Sequence, residues 1–534
     1  MGESFINAHF PKAGLDRAVA YGKQPARQLP TGRHARTAAI AKNVRAWEPA
    51  TGRCRGGSRP GISKFVTAAV VADWLIQHVT TITGLGYSAP GGGVPQSSIS
   101  GRLVTLVAIS QGNVYVADVG DTAWTTPTNN SGATPPLNIT GLVRSAPNNQ
   151  KLYLVDGTNK RVYVPATNSV EDWTISAGTF PTDAAGNLPR LIAPWRDRVL
   201  LAGLIEDPQI VFASKQGDAT NFDYAPTSPS AFDAWAFNTG GLGSIGDVVN
   251  CILPTSDDEC IIGGDSSIHI IRGDPTNGGE IDTISRAVGM AFGEPYAVAP
   301  DGAVYFFSNR PGIYRMEPRS RPVRISAPID ELLRTVDTGS NVIFMLWDDA
   351  DKCLEVFISP LAAPAAAIHY TWEQRTGGWV QRIYANNNHN PLCGCIVDGN
   401  EAGDRVVVHG SWDGYVRFLD RDATDDDGTN ITSEVWIGPL VTPNFDEIML
   451  HDLQAVLGTA SGDVTAAVHL GDTAEAALSS SAARTVTLSA GRNITRHIRR
   501  AGHAIYVKLT STNRWAMEAI RLRVSDLGKV RMRG

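Results

Sequence analysis

From about residue 100 onward, apolar and polar positions either alternate or fall into apolar runs of four or five. Examples are NVYVADV (113–119), KLYLVDGTNKRVYV (151–164), DRVLLAGL (197–204), CIIGGDSSIHIIRG (260–273), GAVYFFSNRPGIYRM (302–316) and RVVVHGSWDGYVRFLD (405–420). Alternation suits a strand with one buried face, an unbroken run suits one buried on both, and turn signals such as Asp156-Gly157 join them into hairpins. Helical periodicity is nearly absent, and Ile329 to Val336 is the best short helix candidate. The hairpin centres fall near 115, 158, 200, 266, 309, 365 and 412. Spacings of about 40 to 65 residues match a four-stranded propeller blade with variable loops. The pattern therefore predicts an all-β chain with a β-propeller of six to eight blades over residues 65–430.

The flanks read differently. Residues 1–64 show neither a helical face nor useful strand alternation and are rich in Arg, Lys, Ala, Gly and Pro, which predicts a basic extended arm. After the propeller comes the acidic stretch DRDATDDDGTN (420–430), with Asp422, Asp425, Asp426, Asp427 and Gly428. It lacks the alternating oxygens and distant Glu of a helix-loop-helix calcium site, so a solvated linker is expected. Short strands such as VWIGPLV, DVTAAVHLG and AIYVKLT then predict a small β-sandwich within 431–534, ending in the basic tail GKVRMRG.

Charge sharpens this division. Residues 1–64 carry 12 Lys/Arg against 3 Asp/Glu and residues 484–534 carry 12 against 2; the whole chain is −6, so residues 65–483 carry −25. Two basic ends flanking an acidic body suggest electrostatic docking between copies or with a partner. No apolar run approaches the ~20 residues of a membrane span, and the start, MGESFINAHFPKAG, lacks a secretory apolar core, so synthesis and retention in the cytoplasm are expected unless the protein leaves in a particle. The six cysteines are scattered, and Cys393-Gly-Cys395 has no second pair to complete a zinc site.

The stretch WEPATGRCRGGSRPG (47–61) is the most unusual in the chain. Gly52 to Gly57 has the spacing of a phosphate-binding loop, but Ser58 stands where that loop needs Lys and no helix follows. A single Arg-Gly-Gly with Trp47 as its one aromatic lacks the repetition of a nucleic-acid tag. A third reading fits the residue types: glycines permit close backbone approach, Pro60 restricts the chain, and the arginines can pair with carboxylates. Arg53, Arg55, Gly56, Gly57, Arg59 and Pro60 are therefore candidates for a strap, between subunits or within one. Catalytic signatures are missing: there is no G-x-S-x-G, no H-E-x-x-H and no helically spaced histidine pair. Ser411 to Tyr415 resembles the structural Asp-box turn of sialidase blades without its Thr-Trp ending, and acidic pairs such as Asp348/Asp349 are expected in an acidic protein. No catalytic, cofactor-binding or metal-ligating residue is assigned.

Several phrases together resemble the tail nozzle family of short-tailed bacteriophages, the tail tubular protein B family. They are NVRAWEPATGRCRGGSRPGISKF (43–65), FASKQGDATNFD (212–223), ECIIGGDSSIHIIRGDP (259–275), IDTISRAVGMAFGEP (281–295), GAVYFFSNRPGIYRM (302–316), GSWDGYVRFLD (410–420) and NRWAMEAIRLRVSDLGKVRMRG (513–534). The resemblance implies a propeller in each subunit, a homohexamer on the tail axis, and a channel for double-stranded DNA. It also implies a head-to-tail adaptor protein and tail fibres as partners, a possible encounter with the host cell surface, and a location in the virion tail after assembly in the host cytoplasm. It implies no active site. Alternatives are a tail-fibre-attachment or receptor-binding propeller and a tail glycosidase.

Overall fold

The computed structural model describes all residues except 1–2, 25, 31, 33, 49–50, 86–101, 239–245, 318, 399–404, 443, 445 and 529–534. The basic tail therefore lies outside the described residues. Among the described residues, seven mainly antiparallel sheets follow one another around a ring, a count inside the expected range. Their strands span residues 78–118, 128–172, 191–238, 249–285, 296–324, 341–382 and 391–420, here blades 1 to 7. Every hairpin centre read from the sequence falls within one of them.

The apolar runs explain why blades need neighbours. In Lys151–Val155 and Arg198–Ala202 nearly every residue is buried, so each sheet must be covered on both faces. Successive apolar clusters accordingly straddle blades 1 and 2, 2 and 3, 3 and 4, and 4 and 5. Another joins blade 7 to blade 1, with Val397 and Val408 packed among Val79, Val104 and Leu106. The largest joins blades 5 and 6 to the arm and the sandwich, through Phe307, Trp347, Phe10, Val44, Val435 and Trp515.

Ring closure depends on the arm. Gly61–Lys64 pairs antiparallel with Val416–Asp420 as the outer strand of blade 7, and the chain then enters His78–Leu85, the first strand of blade 1. A strand from before the propeller thus completes its last blade and leaves that edge covered. Earlier in the arm, Glu3–Ala8 pairs with the strand Met517–Gly528 of the sandwich. Lys42 pairs with Gln381 of blade 6 on one side and Glu434 of the sandwich on the other. Blade 6, the arm and one sandwich sheet consequently form a single nine-stranded sheet.

The sandwich packs that sheet's strands Ser433–Leu440, Val464–Gly471, Ala482–Leu488 and Ala504–Ser511 against a second sheet built from Glu3–Ala8, Glu447–Leu457, Gly491–Gly502 and Met517–Gly528. Helix is confined to short pieces: Asp330–Leu333, inside the stretch expected to be helical, and Ala474–Ser479, capped by the Thr473 side chain.

One expectation is overturned. The acidic stretch after blade 7 is not a solvated linker, because Asp426 is fully buried and Asp427 is held by Arg417 at 2.9 Å. Residues Asp425–Asp426 form a short strand beside Gly61–Lys64. Asp426 is drawn inward by Arg59, 367 residues away in sequence, and Asp427 by the nearby Arg417.

Candidate functional site at the arm junction

The arm crosses the seam between propeller and sandwich, and its arginines meet the acidic body there. Arg59 is 4% exposed and grips Asp426 with both terminal nitrogens, at 2.8 and 2.6 Å. Its Nε donates to Asn43 Oδ1 at 2.9 Å, and its remaining donors reach the carbonyls of Pro60 at 2.9 Å and Ile383 at 3.0 Å. The guanidinium also lies over the Tyr384 ring, 5.3 Å from its centroid. Asn43 completes the knot: its amide donates to the Thr432 carbonyl at 2.9 Å while its oxygen accepts from the Ile383 N–H at 2.8 Å. The planar, five-donor Arg59 thus ties the arm to the ends of blades 6 and 7, and Asn43 extends the tie to the start of the sandwich.

A second arginine repeats the arrangement closer to blade 6. Arg45 pairs with Asp351 at 2.7 Å and approaches Glu373 at 3.6 Å, both buried, and also contacts the Cys353 thiol. Arg421 reaches Asp351 from blade 7 at 2.8 Å, and Arg375 holds Glu373 at 2.7 Å. Burial raises the Asp351 pKa, but Arg45, Arg421 and Arg375 outweigh it and hold that carboxyl below its ordinary value. Asp348 receives less compensation: burial, then the charge of Asp351, pushes it up to about 6. Burial pushes the Cys353 thiol well up, so a neutral sulfur faces Arg45.

The glycines are required by contact. A Cβ on Gly56, at φ 83°, would run into the Phe10 ring; one on Gly57 would meet the Trp515 carbonyl oxygen, and one on Gly61 the Asp425 carbonyl oxygen. Arg55 pairs with Glu48 at 2.6 Å and reaches Glu518 of the sandwich. Of the residues read as a strap between subunits or within one, Arg59, Gly56, Gly57 and Pro60 are buried inside the subunit, Arg55 spans arm and sandwich, and Arg53 alone is exposed. The strap joins parts of one chain. Sequence reasoning missed its acceptors, Asp426, Asp351 and Glu373, although the run of aspartates opposite a basic arm was an available signal.

Inner residues of blades 1, 2, 6 and 7, with Glu294 leading into blade 5, surround a cavity of about 20 Å³ lined in part by His78, Arg144, Glu294, Phe344 and Cys393. Arg144 approaches Glu294 at 3.6 Å, and Arg144 and Arg190 both lie over the Phe292 ring. That space is large enough for about one water molecule. An open cleft of about 630 Å³ lies on one face of blades 1 to 4, lined by Thr83, Pro147, Asn149, Pro194, Arg196 and Ser256 among others. Among the described residues no group of three or more His, Cys, Asp or Glu is placed to hold a metal, and the six cysteines are free thiols. Asp413, in the Asp-box-like turn, is gripped by Arg417 at 2.8 and 2.7 Å. No helix of the described residues is long and apolar enough to cross a membrane.

No family model and no curated protein matches the chain. Among solved structures, it is similar to the extracellular domain of the putative one component system BT4673 from B. thetaiotaomicron, at 10% identity and TM-score 0.43, over 89% of this chain and 60% of that one. It is similar to YCF48 from Cyanidioschyzon merolae at 8% identity and TM-score 0.37, over 66% and 98% of the two chains. The N-terminal domain of Nup159 aligns at 7% identity and TM-score 0.36, over 71% and 98%.

Proposed function

We propose that this chain is a structural subunit of a bacteriophage tail, several copies of which form the nozzle through which double-stranded DNA is ejected. The role is mechanical and needs no catalytic group, cofactor or metal. The observation that supports it most is the bracing of the subunit: arm, propeller and sandwich share one nine-stranded sheet, and the seam is locked by the buried Arg59–Asp426 and Arg45–Asp351 pairs. Such cross-ties suit a part that must hold its shape under load. In the nozzle, DNA would pass along the axis of the assembly, between subunits. An acidic lining drawn from the −25 body would repel phosphates and prevent sticking. The proposed partners are further copies of the chain, a head-to-tail adaptor and tail fibres.

The test is made on the particle. Gold-labelled antibody should mark the distal tail axis of purified virions, and quantitative mass spectrometry should count about six copies per particle, as the hexamer that the resemblance implies requires. Label on peripheral fibres, or none on virions, would sink the reading. A second reading, a receptor- or fibre-binding propeller, draws support from the open cleft on blades 1 to 4; it predicts peripheral label and a different copy number.

A further inference from the structure

One strand of the C-terminal basic segment turns its arginines outward. Strand Gly491–Gly502 is the edge of its sheet, and Arg492, Arg496, Arg499 and Arg500 on it are exposed, as is Arg484 on Ala482–Leu488, the edge strand of the facing sheet. Among the described residues none of these five has a carboxylate within ion-pair distance. Arg496 donates only to Asn493 Oδ1 at 3.3 Å, and Arg500 only to the carbonyls of Ala483 at 3.3 Å and Arg499 at 3.1 Å. In their midst Ile494 is 66% exposed. Two register shifts against Glu447–Leu457, with Thr495 at φ 35° and Arg499 at φ 52°, bend this edge. Bulges and charge of this kind discourage pairing with another strand, so a partner would be met through side chains.

The propeller carries the complementary surface. On the turn after Arg198–Ala202, Ile205 is 57% exposed and is followed by exposed Glu206 and Asp207, neither in an ion pair among the described residues. The N–H of Val249 donates to the Pro208 carbonyl at 2.8 Å, which sets Val248, 42% exposed, beside that turn. The N–H of Asp265 donates to the Val248 carbonyl at 3.1 Å, adding another exposed acidic residue. The result is an apolar pair flanked by carboxylates, the inverse of an isoleucine flanked by arginines. Blade 3 lies across the ring from blades 6 and 7, to which the sandwich is joined, so the two surfaces can meet only between copies.

We propose that the arginine edge of one copy docks on the Ile205–Asp207 and Val248 patch of the next. This head-to-tail contact uses different surfaces on the two partners and closes into a ring when the rotation permits. It rests on the multi-copy assembly proposed above, but its test uses the purified chain and not the virion. The partner is a second copy rather than nucleic acid because the exposed isoleucine has an apolar counterpart on the propeller and none on a phosphate backbone.

Sedimentation velocity of the full chain, at low salt and at about 0.5 M salt, should show association that weakens as salt screens it. The pair R496E/R500E and the pair E206R/D207R lie on exposed positions and should each weaken association at least ~30-fold. An equimolar mixture of the two variants restores opposite charge at every contact and should recover association. A chain that stays monomeric up to ~100 µM overturns the proposal. So does association indifferent to either reversal, or one not restored by mixing. Retention of a duplex oligonucleotide that depends on Arg496 and Arg500, without self-association, would assign the edge to nucleic acid instead. Virion copy number is unaffected by these outcomes, so either reading can fail alone.

Discussion

At the scale of single residues, the subunit concentrates its vulnerability in buried charges. Asp426→Ala would leave Arg59 charged in a site that water does not reach, and breaking a buried pair from one side costs about 3 to 5 kcal/mol. We expect a clear drop in the urea midpoint; a midpoint within error of the parent would remove Arg59–Asp426 from the bracing. Arg59→Lys should also destabilise, because one ammonium cannot reproduce two bonds to the carboxylate and a third to Asn43. Buried histidines set a pH dependence. His369 accepts the Ile358 N–H at Nδ1, 3.3 Å away, and lies 3.0 Å from Asn390 Oδ1 at Nε2, so its neutral form fits both contacts. Burial lowers its pKa to about 3 and that of His78 to about 4. Because the folded state binds these protons less readily, their contribution is fully present above about pH 6.5 and is lost as pH falls toward those values. Asp348, raised to about 6, acts with the opposite sign and gains stability as pH falls through 6. His369→Gln should flatten the acid limb of a stability-against-pH curve; an unchanged slope would show that His369 does not set it.

At the scale of elements, the closing strand is the critical piece. Gly61–Lys64 belongs by sequence to the arm but by hydrogen bonding to blade 7. Gly61→Ala would drive a methyl group into the Asp425 carbonyl, and overpacking of this kind costs about 1 to 3 kcal/mol. The expected sign is faster proteolysis at the blade 7–blade 1 seam. Cleavage at the parental rate would mean that the blade closes without this contact.

At the scale of the whole molecule, the distribution of charge separates bracing from assembly. A triple change of Arg53, Arg55 and Arg59 to Ser, a natural test for a strap between subunits, would confound the two, since Arg59 holds its own subunit together. Arg53→Ser alone is the discriminating variant. It should leave thermal stability within about 0.5 kcal/mol of the parent, as for an exposed side chain with no special contact. Any loss of ring assembly would then report an external role for Arg53, and a destabilised monomer would contradict its exposure.

Strand content, hairpin spacing and the propeller were legible because they are local: a four- or five-residue apolar run needs two covered faces wherever it ends up, and turn residues mark where it reverses. KLYLV and RVLLA foretold their blades in this way, and the charge partition foretold that basic and acidic segments would meet. Their partners were not legible. Nothing adjacent to Arg59 in sequence points to Asp426, 367 residues away, and nothing in the arm's composition distinguishes a neighbour's carboxylates from its own. Only the closed ring decides this, because it brings the end of blade 7 back to the start of the chain. Pairing within one subunit avoids the entropy cost of association, so the nearest carboxylates are matched first. The sequence determined the strands, the beat and the sign of each segment; the tertiary structure decided which arginines turned inward to brace the subunit and which, on Gly491–Gly502, were left facing out.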